Sequence, residues 1–196
     1  MQNETADALF FIDDGLVKLT RTNNAGDKII LSICGPGDLI GEEAMSLDGS
    51  KYQADAEVLA PATLYRIPRE PLKRVLGQNG ELATAVIDFL LGRRQLLAQK
   101  VELLCLHDVE YRILHYLAEL ADSIGPNLSE EYNLPITQAE LADLIGATRE
   151  TTSTTLNQLE RRGLIKLSRR LLTIPAPDLL RRAIVDQNAT MNLETA

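Results

Sequence analysis

Histidine, cysteine and long apolar runs are all scarce in this chain, and each scarcity removes a class of function. Two histidines, His107 and His115, cannot build the multi-histidine cage that a small-barrel metalloenzyme needs. Cys34 and Cys105 are too few and too far apart for a structural zinc or iron–sulfur centre, and no disulfide is expected between them. Both are expected as plain buried residues. There is no Ser-His-Asp set, P-loop or dinucleotide glycine pattern, so catalysis is not expected. No apolar run approaches the roughly 20 residues of a membrane span, and the first residues carry no basic-then-apolar leader. These absences predict a cytoplasmic protein with no cofactor, no metal and no membrane partner.

What is present is ordinary globular composition with an uneven charge. The net charge of −8 argues against a nucleic-acid binder until it is divided along the chain. Residues 1–136 carry 12 basic and 21 acidic side chains, a balance of −9. Residues 146–182 carry eight basic ones (Arg149, Arg161, Arg162, Lys166, Arg169, Arg170, Arg181, Arg182) against three acidic, a balance of +5. Phosphate contacts are local, so the patch matters more than the whole-chain charge.

The hydrophobic pattern changes twice. Leu9–Ile12, Leu16–Thr22, Lys28–Cys34, Ala54–Leu59 and Thr63–Ile67 are short strand-like segments separated by turns at Asp14-Gly15, Asn23–Asp27, Gly35–Asp38 and Asp48-Gly49, the rhythm of a sandwich or small barrel. From 81 to 105 the period becomes helical, with Leu82, Val86, Phe89, Leu90, Leu96, Leu97, Val101 and Leu104 forming a stripe. A helix that long, with so much apolar surface, is expected to pair with its own copy in a two-fold dimer. Further helices are predicted at Val109–Ser123, Thr137–Ile145, Thr148–Arg162 and Leu179–Val185, the last capped by Asp178. Leu164–Leu167 and Leu171–Ile174 read as a two-stranded wing.

The stretch 137–162 carries the function. Thr137 and Glu140 form a capping box, Leu141, Ala142, Leu144 and Ile145 supply a buried face, and Gly146 stops the first helix. Thr148 caps a second, which turns Leu156 and Leu159 inward and Arg149, Glu150, Ser153, Thr154 and Asn157 outward. A polar outer face on the second of two short helices is what a major-groove reader needs. The run Thr151–Thr155 would favour a strand if read alone, because β-branched residues lose rotamer freedom in helices. The flanking caps overrule it.

In order and spacing, Leu9–Gly15, Gly35-Pro36-Gly37-Asp38-Leu39-Ile40-Gly41-Glu42, Lys100-Val101, Asp108-Val109 with Arg112-Ile113, and Gly146–Thr151 resemble the CRP/FNR superfamily of bacterial transcription regulators over about residues 8–176. The resemblance implies an α+β fold. A double-stranded β-helix of the cyclic-nucleotide-binding type (1–80, N-terminally shortened) would lead to a dimerisation helix (81–106). A winged helix-turn-helix (107–186, motif 137–162) and a flexible tail (187–196) would follow. It also implies a homodimer on an inverted repeat of double-stranded DNA, with RNA polymerase as a further partner. Arg149 and Glu150 fall on the family's base-reading positions, where Arg149 would bond guanine and Glu150 a cytosine amino group. The third position, usually arginine, is Thr154. Hydroxyls of Thr148, Thr151 and Ser153 are expected on phosphates, together with Arg169 and Arg170 of the wing, where Arg169 replaces a common glycine.

For an effector, the resemblance gives a Gly-Glu pair at Gly41-Glu42. Tyr52-Gln53 stands where cyclic-nucleotide binders have Arg-Ser, and Leu97-Ala98 where they have Thr-Ser. Without the arginine the charge-assisted phosphate contact is lost. Arg93 matches an arginine of the 2-oxoglutarate-sensing branch, but its companions do not match, and it is expected as an exposed helix arginine. The reading is a regulator with no cAMP requirement and Glu42 as a structural remnant. A small-molecule-gated regulator and an interaction module with a decayed DNA reader are the alternatives.

Overall fold

The computed structural model describes residues 1–46, 50–124 and 131–194, with the side chains of all of these but 123–124 and 188–194. The Asp48-Gly49 turn and residues 195–196 of the expected tail lie outside them. The chain divides into two compact units, Met1–Glu102 and Leu103–Ala196.

The first unit is built on one long strand, β1 (Ala8–Thr22), which pairs antiparallel with β2 (Lys28–Cys34), β3 (Leu39–Ile40) and β4 (Asp55–Pro68). The sequence suggests two strands where β1 runs unbroken and two more where β4 does. The bend that makes them look separate falls where the register shifts cluster, near Asp14–Val17 opposite Ala60–Thr63. Gly15 sits there at φ +86°, and a Cβ on it would lie 2.0 Å from the Pro61 carbonyl oxygen. Only glycine lets the two backbones approach so closely. The Asn23–Asp27 hairpin forms as expected, with the Asn23 side-chain oxygen accepting from the amides of Ala25 and Asp27, both at 2.9 Å. Ile12, Val17, Cys34 and Ile40 form the core of this sheet, with Phe10, Leu19, Ala62 and Leu64 against it.

Helix α1 (Arg69–Gln78), absent from the sequence reading, closes the strand region before α2 (Gly80–Leu106) begins. Val86 and Phe89 are half-buried, whereas Ile87, Leu91, Leu96, Leu97 and Val101 are each at least half exposed in the single chain. Leu103 is the one buried residue of α2. Cys105, expected buried, is exposed, and Cys34 is buried.

In the second unit, α3 (Val109–Ile124) leads to α4 (Gln138–Ile145) and α5 (Arg149–Arg161), followed by β6 (Lys166–Ser168) and β7 (Leu171–Ile174). The wing has a third strand, β5 (Tyr132–Leu134), which pairs with the other edge of β7. Three residues are too few for periodicity to reveal. Ile113, Leu114, Leu117, Leu141, Ile145, Leu156 and Leu159 are fully buried and join α3, α4 and α5 in one core. The last helix, α6 (Pro177–Glu194), starts earlier than expected, with Pro177 rather than Leu179 as its first residue and Asp178 inside the first turn. It also continues through the region expected as a loose tail.

Candidate nucleic-acid interface

Local chemistry sets the helix-turn-helix. The Thr137 hydroxyl accepts from the Glu140 amide at 3.1 Å, and the Glu140 carboxylate accepts from the Thr137 amide at 2.9 Å, so the capping box is complete. Gly146 takes the left-handed conformation at φ +64°, and a Cβ there would come within 2.9 Å of Leu104. Arg112 of α3 donates to the Ile145 carbonyl at 2.8 Å, satisfying a C-terminal oxygen of α4 that would otherwise have no helical partner. Arg112 enters the sequence reading only as a landmark, and this bond is its structural reason.

Helix α5 is capped by Thr148, whose hydroxyl accepts from the Thr151 amide at 3.2 Å. The threonine run is helical because its hydroxyls turn back on the backbone. Thr152 donates to the Thr148 carbonyl at 2.8 Å and Thr155 to that of Thr151 at 2.9 Å, both from buried positions. Thr148 and Thr151 share a hydroxyl–hydroxyl bond of 2.8 Å, so one of the two hydroxyl protons expected on phosphates is already engaged. Arg149, Glu150, Thr154 and Asn157 are exposed on the outer face and Ser153 is partly exposed. The predicted reading residues therefore share one accessible surface.

The wing is tied to this helix, since the Glu160 carboxylate accepts from the Leu167 amide at 2.8 Å. Arg169 and Arg170 occupy the exposed turn between β6 and β7. Of the eight basic residues in the patch, three are held by acids: Arg162 by Glu110, Lys166 by Glu131, and Arg181 by Asp122 and Asp178. Arg149, Arg161, Arg169, Arg170 and Arg182 have no acidic partner among the described residues. Charge left uncompensated beside an exposed polar helix suits a polyanion.

The residues singled out in the first unit are either bonded to nearby parts of that unit or at least partly exposed. Tyr52 lies against Gly41, where an added Cβ would be 3.0 Å from its ring. Its phenol donates to the Ala8 carbonyl at 2.7 Å and accepts from the Ala8 amide at 3.1 Å. Burial first, and the Asp7 carboxylate as well, hold the phenol's pKa above its usual value. Glu42 opens a single turn of 3-10 helix, Glu42–Met45. Gln53 is exposed, and its backbone amide donates to the Glu43 carboxylate at 3.0 Å. Leu97 and Ala98 are exposed on α2.

Arg93 corrects the sequence reading. Rather than standing in solvent, it turns onto the sheet and donates to the Leu39 carbonyl at 3.1 Å and to the Cys34 sulfur at 3.6 Å. Burial opposes its charge, but Cys34, Glu42 and Asp38 outweigh it and hold the guanidinium pKa above its ordinary value. The Cys34 thiol is pushed up, chiefly by burial. Seven residues along, Lys100 donates to the carbonyls of Ile30 and Leu31 at 2.8 and 2.9 Å. Two cations on one helical face thus fasten α2 to β2 and β3, a spacing visible in the sequence but not used there.

Comparison with known proteins agrees with this geometry. Residues 1–79 match the cyclic nucleotide-binding domain family, and residues 111–183 the Crp-like helix-turn-helix domain family. The nitrogen fixation regulation protein FixK of Azorhizobium caulinodans is 31% identical over 175 residues, covering 87% of this chain and 69% of that protein. The chain belongs to the CRP/FNR family of transcriptional regulators. A CRP-like cAMP-activated global transcriptional regulator of Mycobacterium tuberculosis is 27% identical over 183 residues, 92% of this chain and 81% of that one. Among solved structures, a CRP-family transcriptional regulator from Thermus thermophilus superposes with a TM-score of 0.77 at 26% identity, covering 94% of this chain and 91% of that one. No helix among the described residues is long and apolar enough to cross a membrane.

Proposed function

We propose that this regulator acts in the cytoplasm as a homodimer that reads an inverted repeat through α5 and the wing, without enzymatic activity and without a cAMP requirement. The observation that carries the DNA-reading part is the exposed row Arg149, Glu150, Thr154 and Asn157 beside five arginines with no acidic partner among the described residues. Arg149 bonds a guanine and Glu150 a cytosine amino group, while Arg169 and Arg170 hold phosphates. Two copies of α2 bury each other's exposed leucines and set two α5 helices about 34 Å apart, one turn of duplex. RNA polymerase is the partner through which a bound dimer alters transcription.

Effector independence is supported by Tyr52. A cyclic phosphate needs a charge-assisted donor, and the position instead holds a phenol already bonded at both polar valences to Ala8. The 2-oxoglutarate alternative gains one supporting feature, the inward Arg93, but that guanidinium is already engaged by Leu39 and Cys34. Isothermal calorimetry with cAMP and with 2-oxoglutarate is expected to give no heat of binding, and a gel shift is expected to retard an inverted-repeat fragment equally with and without either compound. Tight binding of either compound overturns the effector part. A gel shift unaffected by Arg149→Ala combined with Glu150→Ala overturns the DNA-reading part.

A further inference from the structure

We infer that Thr154 determines specificity at one base pair by placing its methyl group on the C5-methyl of a thymine. The inference rests on α5 being the reading helix. Within the threonine run, Thr152 and Thr155 have their hydroxyls bonded to backbone carbonyls and are buried, and Thr148 and Thr151 are bonded to each other. Thr154 alone among these five threonines is both exposed and without a side-chain hydrogen-bond partner among the described residues. It serves neither the cap nor the core, and a β-branched residue costs helix propensity at an exposed site.

Its reach decides what it can touch. The side chain ends one bond beyond Cβ, so it reaches only what projects farthest from a base edge and lacks the span of Arg149. In the major groove, the group that projects toward a helix from the base edges and is apolar is the thymine methyl, and a threonine methyl is among its natural contacts. A guanine or cytosine at that position offers only polar groups, which a hydroxyl of this length meets singly and without discrimination. The pair facing Thr154 is therefore A·T.

The test is selection of binding sites from random duplexes, followed by replacement of the selected thymine with deoxyuridine, which removes only the methyl. Wild type is expected to bind the thymine duplex about fourfold more tightly than the uracil duplex, the factor one buried methyl supplies. Thr154→Val is expected to keep that ratio, and Thr154→Ser, which keeps the hydroxyl and drops the methyl, to bring it to one. Indifference of wild type to the methyl, a selected G·C pair at that position, or retained discrimination in Thr154→Ser overturns the inference. The wild-type comparison requires no variant to fold. A selection that returns no motif removes the DNA-reading assignment together with this one, whereas a motif indifferent to the methyl removes this one alone.

Discussion

Single side chains differ in what they contribute to DNA binding, and salt separates them. Arg149→Ala should weaken binding to the selected site by about 1–3 kcal/mol and relax preference at one base, because a bidentate guanine contact is lost. Arg169→Ala or Arg170→Ala should weaken every duplex alike and lower the slope of log affinity against log salt by about one, because each loses a phosphate contact. Fluorescence anisotropy titrations at three salt concentrations check both; equal behaviour of the two classes would contradict the assignment of roles. Another residue-scale expectation concerns pH. Burial first, and the neighbouring His107 second, depress the His115 pKa below its ordinary value of 6.5. The folded state therefore favours the neutral ring, and the unfolded chain takes up its proton first. His115 thus contributes stability above its ordinary pKa, and that contribution is lost as pH falls below it. Calorimetric melting should show wild type losing more stability between pH 7.5 and 5.5 than His115→Gln, and parallel losses would contradict this.

At the scale of elements, caps and a bond from α3 to α4 hold the reader in shape. Arg112→Met should strand the Ile145 carbonyl and cost about 1–3 kcal/mol in urea unfolding, with binding lost in proportion; an unchanged midpoint would show that water replaces the guanidinium. The helix-turn-helix is legible in the sequence because its determinants are local: Thr137 with Glu140, Gly146, and Thr148 each act within four residues. The strands are harder to delimit. Gly15 reads as a turn, yet it is a point of close approach between the paired strands β1 and β4, and that role depends on Pro61, which is 46 positions away. Arg93 escapes a sequence reading for the same reason. Its partners Cys34 and Leu39 are distant in sequence, and periodicity places a residue on a helix without showing what that face meets. The outer face of α5 is fully legible, but the bond between Thr148 and Thr151 is not, since hydroxyls choose partners only once the helix exists.

At the scale of the whole molecule, α2 carries far more apolar surface than one chain covers. Leu97 and Val101 are 60% and 53% exposed in the single chain. Leu97→Glu should leave the fold of each unit intact, shift sedimentation from dimer to monomer, and remove most of the affinity for an inverted repeat, since each half-site then binds alone. A variant that stays dimeric would move the interface elsewhere. The account as a whole requires two α5 helices held at a fixed separation. The most direct test measures affinity for the selected inverted repeat against the same duplex with about five base pairs inserted between its half-sites. That half-turn insertion puts the second half-site on the opposite side of the helix. The account predicts a loss of at least about tenfold, partly restored by an insertion of about ten base pairs. Affinity independent of spacing would contradict it.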